Sequence, residues 1–202
     1  MSADVMPLWS DEAAQGTVLP LGPGYLIANP PPLTDADMAT LWEGVTAGSF
    51  GVRAARTLSG SLTCVPLWSD LSGGARPLEA DGTALDGHRV CLRLAAERLS
   101  PAFLSLAAPG TAVTETPAGF MWAEESSVRT PGSLPGLLWA GRTPFGLAAI
   151  RFACARPDTG LKLDFGAPPD KGIDCGFIAL RSDGSGEEAP WQVRWLDGTE
   201  GG

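Results

Sequence analysis

The one histidine of the sequence, His88, lies three residues before a cysteine, Cys91. A thiol beside an imidazole can act as a nucleophile, because the imidazole takes the proton of the thiol. The alternating apolar residues Val90, Leu92 and Leu94 predict a strand here, and positions 88 and 91 of a strand point to opposite faces of a sheet. The spacing therefore favours a surface histidine at the start of a strand over a catalytic pair.

Paired carboxylates occur at Glu124–Glu125 and at Glu187–Glu188. A glycosidase holds two carboxylates about 5 to 9.5 Å apart across the sugar, whereas neighbours on one strand face opposite ways. Glu124, two residues after Trp122, is the stronger candidate for a catalytic acid. A solvated strand end explains the same residues more simply.

Other enzyme motifs are missing from the sequence. Gly132 and Gly136 have the spacing of a nucleophile elbow, but Leu134 occupies the position of the nucleophile. Residues 183–188 resemble a calcium-binding loop in composition only. The four cysteines follow no zinc or redox spacing, which predicts reduced thiols in the core. The sequence thus predicts neither a metal nor a cofactor and favours a protein without catalytic activity; a carboxylate-dependent glycosidase or a cysteine hydrolase is the catalytic alternative.

The chain has seven tryptophans and a single tyrosine. Tryptophan offers a large flat surface and a hydrogen-bond donor, which suits protein interfaces and stacking on sugar rings. Three tryptophans are each followed two residues later by an aspartate, and the words at 7–11 and 66–70 are identical. The candidate residues for ligand stacking or an interface are therefore Trp9, Asp11, Trp68, Asp70, Trp195 and Asp197. The apolar surroundings of Trp42, Trp122 and Trp139 predict core packing instead.

Charge and hydropathy limit the partners of the chain. The formal net charge is −9 and the pI about 4.5, so the average surface repels phosphate backbones and disfavours nucleic-acid binding. No apolar run approaches the length of a membrane span, and the first residues lack the pattern of a signal peptide. We therefore expect that the protein is made in the cytoplasm and is then incorporated into a multi-protein particle.

Turn residues dominate the organisation of the chain, which contains 26 glycines and 18 prolines. The apolar stripe Met38, Leu41, Trp42 and Val45 predicts one helix over 35–46. Ser100 and Pro101 would suit the start of a second short helix, although the same segment could be a strand. Short apolar words separated by turns predict strands at 50–54, 62–65, 89–94, 111–114, 119–122, 137–141, 147–155, 161–165, 176–181 and 191–196.

These elements predict a mainly β fold, an antiparallel sandwich or barrel-like domain with one or two short helices. The last two strand words, at 178–181 and 191–195, would pair as a hairpin. We expect a single domain over 1–202, in which 1–33 is an extended arm rich in proline and glycine and 82–87 marks a weak subdivision.

One main hypothesis follows from three features of the sequence. These are the absence of catalytic motifs, the turn-rich strand pattern and the use of tryptophan and arginine. The chain is a structural or interaction protein without catalytic activity, a subunit of a multi-protein particle such as a phage-like head, tail or attachment component. Its partners would be other protein subunits, and a surface glycan is a further candidate. The alternative is a carbohydrate-binding β-sandwich module.

Overall fold

The computed structural model describes residues 17–31, 35–70, 83–124, 135–158, 161, 163, 171–180 and 189–195, without the side chains of 35–39, 68–70, 83, 84 and 86. The strands are β1 (Thr17–Leu21), β2 (Gly24–Ala28), β3 (Val52–Asp70), β4 (Thr83–Ala96), β5 (Thr111–Thr116), β6 (Gly119–Glu124), β7 (Leu137–Thr143), β8 (Gly146–Phe152), β9 (Cys154–Pro157), β10 (Ile173–Leu180) and β11 (Trp191–Trp195). The helices are α1 (Asp35–Ala47) and α2 (Pro101–Ala107).

Nine of the strands form one open antiparallel sheet in the order β11-β8-β7-β2-β3-β4-β10-β9, and β1 pairs with β3 beside this path. The strands β5 and β6 form a separate two-stranded hairpin. This architecture confirms the mainly β, antiparallel, sandwich-like or barrel-like fold with two short helices that the sequence predicts.

The long strand β3 carries the sheet around the core. Its first part, Val52–Thr57, pairs with β2, and Gly60–Cys64 pairs with β1. A register shift between Thr57 and Ser59 separates the two parts. Phe152 of β8 and Phe177 of β10, which are far apart in the strand order, belong to one buried cluster. The sheet therefore folds over itself and encloses a single main core.

Strand alternation fills this core. In β4 the side chains of Val90, Leu92 and Leu94 are buried, while the residues between them lie on the outer face. Helix α2 closes the core with Phe103 and Leu106. Ser100 caps this helix, because its Oγ accepts a hydrogen bond from the backbone N–H of Phe103 at 3.1 Å. The structure thus decides the open choice between helix and strand at this segment in favour of a helix.

Helix α1 covers part of the opposite face of the sheet. Its Leu41 and Val45 belong to a second buried cluster with Ile27, Leu138 and Ala149. The last turn of α1 contains no basic residue. Arg53 of β3 supplies one, since its Nη2 donates to the backbone oxygen of Thr46 at 2.6 Å. The observed bounds confirm the helix predicted over 35–46.

Two expectations about local packing are wrong. The predicted hairpin between β10 and β11 does not form: β10 pairs with β4 and β9, and β11 pairs with β8. Pairing between strands that are distant in sequence depends on how the sheet folds over. Two neighbouring apolar segments do not contain that information. Trp122, predicted in the core, is 42% exposed, whereas Trp139 is fully buried as predicted and Trp42 is half-buried.

The remaining expectations concern the domain organisation and one strand. The predicted arm, 1–33, contains β1 and β2, which are paired within the sheet; its first sixteen residues lie outside the described part of the chain. The proposed subdivision at 82–87 overlaps the start of β4. Leu161 and Leu163 of the predicted strand 161–165 are in no strand, and its other residues lie outside the described part.

Two paired glycines make room for the central indole of the core. Gly24 of β2 lies opposite Gly141 of β7. A Cβ at position 141 would lie 2.6 Å from Cζ2 of Trp139 and 2.7 Å from the Cα of Gly24. Because one of these neighbours is backbone, it cannot rotate away.

We expect Gly141→Ala to lower the free energy of unfolding by about 1–3 kcal/mol, the usual cost of overpacking a core. Gly44→Ala in α1 is the matched control. Its Cβ would meet nothing closer than 3.4 Å, and alanine favours a helix, so stability should rise by up to about 1 kcal/mol. Urea unfolding measures both variants, and equal effects of the two substitutions would contradict the steric argument.

The buried thiol of Cys175 makes stability depend on alkaline pH. Burial, and to a lesser degree the carboxylate of Asp174, raises the pKa of this thiol from 9.0 to about 12. The folded chain therefore keeps a proton that the unfolded chain loses above pH 9.0. Stability that is fully present below that pH is expected to fall by about 1.4 kcal/mol per pH unit as the pH rises toward 12.

The Cys175→Ala variant isolates this contribution from those of other groups. We expect the difference in free energy of unfolding between the two proteins to stay constant up to about pH 9 and to shift in favour of the variant above it. Urea titrations at about pH 8 and about pH 11 measure the difference. Parallel pH profiles for the two proteins would rule out this thiol as the cause.

Candidate functional site

Of the six predicted stacking or interface residues, the structure fully places Trp195. Its side chain is 49% exposed at the end of β11, opposite Ala148 of β8. The backbone of Trp68 and of Asp70 lies in the last part of β3, opposite Leu85 and Thr83, and their side chains are outside the described part. Trp9, Asp11 and Asp197 also lie outside the described residues. The role of the six residues in ligand stacking or at an interface stays a prediction.

His88 and Cys91 lie on opposite faces of β4. The exposed ring of His88 is on the same face of β4 as Val90 and makes an edge-to-face contact with the Trp191 ring at a centroid distance of 6.3 Å. Cys91 is on the outer face, between Arg89 and Arg93. Because the sheet separates the imidazole from the thiol, the two groups cannot exchange a proton directly, as the strand pattern predicts.

The surroundings of Cys91 keep its thiol protonated at neutral pH. Desolvation by burial is the largest cause that raises the pKa of Cys91, and the carboxylate of Asp158 adds to it. Arg89 lowers this pKa, but it also pairs with Asp158, with its Nη2 at 3.2 Å from Oδ1. Arg93 reaches the other carboxylate oxygen at 3.7 Å. These groups form an ion-pair cluster between β4 and the end of β9.

Glu124 is exposed at the end of β6, opposite Thr111. Its sequence neighbour Glu125 lies outside the described residues. The position of Glu124 agrees with the simpler interpretation of this carboxylate as a solvated strand end.

The hairpin β5–β6 exposes large apolar side chains to solvent. Every residue of β6 is exposed, with Phe120 at 40%, Met121 at 57% and Trp122 at 42%. Phe120 and Trp122 share one face of the hairpin with Val113, the partner of Trp122, and Met121 points to the other face. The hairpin meets the rest of the described fold through α2, which contacts β5. An isolated two-stranded hairpin with apolar residues on both faces is unusual for a free surface.

Sequence reasoning missed this surface for an identifiable reason. Apolar residues at 120, 121 and 122 indicate a strand buried on both faces, and the sequence of β6 carries that signal. This pattern indicates that both faces of β6 favour burial, but it does not indicate whether other parts of the same chain bury them. We call the apolar patch formed by Val113, Phe120 and Trp122 the hairpin face; Glu115, the cross-strand partner of Phe120, lies on the same side of the hairpin.

The strands β3 and β4 continue beyond their other partners. The pairing of β1 with β3 ends at Cys64, and that of β10 with β4 ends at Cys91. From Val65 to Asp70, β3 pairs with β4 alone among the described strands. The two strands therefore form a ribbon that extends from the main sheet.

A groove with a volume of about 460 Å³ lies on the outer face near the end of α1. Three arginines line it together with Tyr25 and Glu97. The guanidinium of Arg53 stacks on Tyr25, with Cζ at 4.6 Å from the ring centroid. Arg56 lies 3.8 Å from Glu97, and both side chains are well exposed, so solvent screens this pair. Since Arg53 also holds the end of α1, at least part of this basic lining stabilises the fold.

Further observations concern metals, membranes and relatives. In the described part of the chain, no group of three or more His, Cys, Asp or Glu side chains could hold a metal ion. Neither α1 nor α2 has the length and hydropathy that a membrane-crossing helix needs.

No protein-family model matches the sequence, and no curated protein matches it at a significant level.

Proposed function

We propose that this chain is a structural subunit of a multi-protein assembly and acts by contact with other protein subunits, without catalysis. A component of a phage-like particle fits this role. The observation that supports it is the hairpin face, whose Phe120 and Trp122 are both at least 40% exposed. Phenylalanine and tryptophan are enriched at protein interfaces, and tryptophan is frequent among the few residues that contribute most of the binding energy. If a partner subunit covers these side chains, their apolar surface is removed from water, and this burial lowers the free energy of the complex.

The ribbon of β3 and β4 supports the same role. The ribbon extends outward from the cross-strand pair of Val65 and Arg89. Its exposed side chains include Pro66, His88 and Leu85, and Leu85 is 47% exposed. Because no other described strand pairs with these parts of β3 and β4, the ribbon can lie along a neighbouring subunit without a change in the core of this chain. The hairpin face and the ribbon are thus two separate surfaces for contacts within an assembly.

The mass of the full chain in solution tests this proposal. Native mass spectrometry and light scattering over a concentration series are expected to show species larger than one chain. A chain that stays monomeric at every concentration and binds no other subunit would contradict the proposal.

Carbohydrate binding is a second candidate, favoured by the 49% exposure of Trp195 on an edge strand. An exposed indole offers the flat surface on which a sugar ring stacks. If a glycan binds there, Trp195→Ala should weaken the binding on a glycan array at least tenfold, the equivalent of about 1.4 kcal/mol. Trp122→Ala, which removes an exposed indole on the hairpin, is the matched control. Equal binding by wild type and the Trp195 variant would exclude this site.

A further inference from the structure

The groove near the end of α1 has a charge opposite to that of the whole chain. The charged side chains that line it are Arg53, Arg56, Arg98 and Glu97. Three guanidinium groups and one carboxylate give this lining a formal charge of +2, whereas the chain as a whole carries −9. A cleft lined by one sign of charge concentrates the electric field and attracts ions of the other sign. The groove therefore favours an anion.

A β-bulge directs two of these arginines to the same face of the sheet. In the pairing of β2 with β3, Tyr25 lies opposite Arg56 and Ile27 lies opposite Arg53. Arg53 and Arg56 are three residues apart and would point to opposite faces of a regular strand. The register shift in this pairing adds one residue, Ala54, to β3, and so turns both arginines outward. Bulges that redirect a side chain in this way are frequent beside functional sites.

Two hydrogen bonds attach the segment between β4 and α2 to this bulge. The Oγ of Ser100 donates to the backbone oxygen of Ala54, the extra residue of β3. The backbone N–H of Glu97 donates to the backbone oxygen of Arg56 at 2.8 Å. Arg98 lies between these two attachment points. The segment thus brings a third guanidinium to the groove that the two arginines of β3 already line.

Arg53 is held in place by contacts that leave part of its guanidinium available. Its Nη2 donates to the backbone oxygens of Val45 and Thr46, and its Cζ lies 4.6 Å from the centroid of the Tyr25 ring. A guanidinium has five N–H donors on three nitrogens. Among the described residues, none accepts a hydrogen bond from Nη1 or Nε of Arg53. A ligand can therefore use these donors without releasing the end of α1.

Arg56 and Arg98 are less engaged by the fold. Both are exposed. Nη1 of Arg56 lies 3.8 Å from Oε1 of Glu97, which is longer than a hydrogen bond. In the described part of the chain, no hydrogen bond or ion pair joins Arg98 to another residue. Both guanidinium groups can therefore bind a ligand without breaking a hydrogen bond of the fold.

The charge and number of these donors match a phosphate better than a carboxylate. A phosphate monoester carries a charge of about −1.5 to −2 at neutral pH and has three strong acceptor oxygens. Arginine binds phosphate through two parallel N–H donors, so several guanidinium groups can share one phosphate. A single carboxylate has one negative charge and two oxygens, and it would leave much of the positive lining uncompensated.

We propose that this groove binds a phosphate dianion, either free or as the monoester group of a small molecule. A volume of about 460 Å³ is in the range of small-molecule sites. A nucleic acid would place further phosphates on the acidic surface around the groove, and basic clusters that bind anionic lipids carry about four to eight cations rather than three. The groove shares no residue with the hairpin face or the ribbon, so this binding goes beyond the proposed function.

Calorimetric titration of the full chain in a phosphate-free buffer of low salt tests the ligand class. Inorganic phosphate and phenyl phosphate are expected to bind, and phenol is not. Succinate, a dicarboxylate of similar charge, should bind at least tenfold more weakly than phosphate. Tighter binding of phenyl phosphate would identify a monoester as the ligand, and tighter binding of inorganic phosphate would identify the free anion.

Single substitutions test the site. We expect Arg56→Gln and Arg98→Gln each to raise the dissociation constant of inorganic phosphate about tenfold, because each removes a charged donor. Glu97→Gln should lower it about threefold, since it removes the one negative charge of the lining. Arg156→Gln is the matched control, because Arg156 is exposed on β9 outside the groove and its loss changes the net charge equally. Urea unfolding verifies that each variant is folded.

Weaker binding by both groove arginine variants, tighter binding by Glu97→Gln and an unchanged constant for Arg156→Gln would support the phosphate site. Three results would overturn it. The first is no binding of either phosphate compound at millimolar concentration. The second is a dissociation constant that Arg156→Gln changes as much as Arg56→Gln and Arg98→Gln do, since this shows only an effect of net charge. The third is succinate that binds as tightly as phosphate.

Discussion

Replacing Trp139 with alanine is expected to lower the free energy of unfolding by about 3–5 kcal/mol, the largest effect of any substitution considered for this chain. The side chain is fully buried in the main core, and its Nε1 donates to Oγ1 of Thr57 at 3.0 Å. The substitution removes the apolar contacts of the indole and leaves a cavity. It also leaves the buried Thr57 hydroxyl without this donor.

Two further variants divide this effect into its parts. Trp139→Phe keeps most of the apolar volume but loses the donor, and Thr57→Val keeps the indole but removes its acceptor. Each is expected to cost about 1–3 kcal/mol, the penalty for an unsatisfied buried polar group. Denaturant unfolding followed by circular dichroism measures all three. A loss below about 1 kcal/mol for the alanine variant would show that the indole is not central to the core.

The double substitution of Phe120→Ser and Trp122→Ser is expected to weaken assembly through the hairpin face at least a hundredfold. Truncation of an aromatic anchor at an interface commonly costs about 2 kcal/mol or more, and each 1.4 kcal/mol corresponds to a factor of ten. Because the two side chains are only 40% and 42% exposed and Trp122 pairs with Val113 across the hairpin, the free energy of unfolding should also fall, by about 1–2 kcal/mol. Light scattering and native mass spectrometry of the full chain measure the loss of larger species.

Met121→Ser is the matched control for this prediction. Met121 is 57% exposed on the opposite face of the same hairpin, so its truncation removes apolar surface without touching the hairpin face. We expect this variant to assemble as the wild type does. If the double variant keeps the wild-type mass distribution, the hairpin face makes no contact in the assembly.

Local physical chemistry made much of the fold predictable. The apolar stripe at 38, 41, 42 and 45 and the cap at Ser100 depend on neighbours within a turn or two, and both helices are found where these signals lie. Period-two alternation placed Val90, Leu92 and Leu94 on the buried face of β4 and separated His88 from Cys91. The same alternation predicted the mainly β, antiparallel class.

Strand order was not predictable in the same way. β11 pairs with β8 rather than with the preceding strand β10, and β10 pairs with β4, about eighty residues earlier in the chain. Each pairing is decided by the way the apolar faces of distant strands enclose one core, an effect that no window of adjacent residues contains.

The sequence by itself determined the position of α1 and of most strand segments, because backbone propensity, capping and alternation act over a few residues, but it left the segment after Ser100 open between helix and strand and placed β1 and β2 in an extended arm. Only the tertiary structure decided which apolar side chains stay open to solvent. Trp139 and Trp122 lie in similar apolar words, but β7 is central in the sheet and β6 is in an isolated hairpin, so the first is fully buried and the second is 42% exposed. Burial depends on what the rest of the chain packs against a strand, and that is a property of the whole fold.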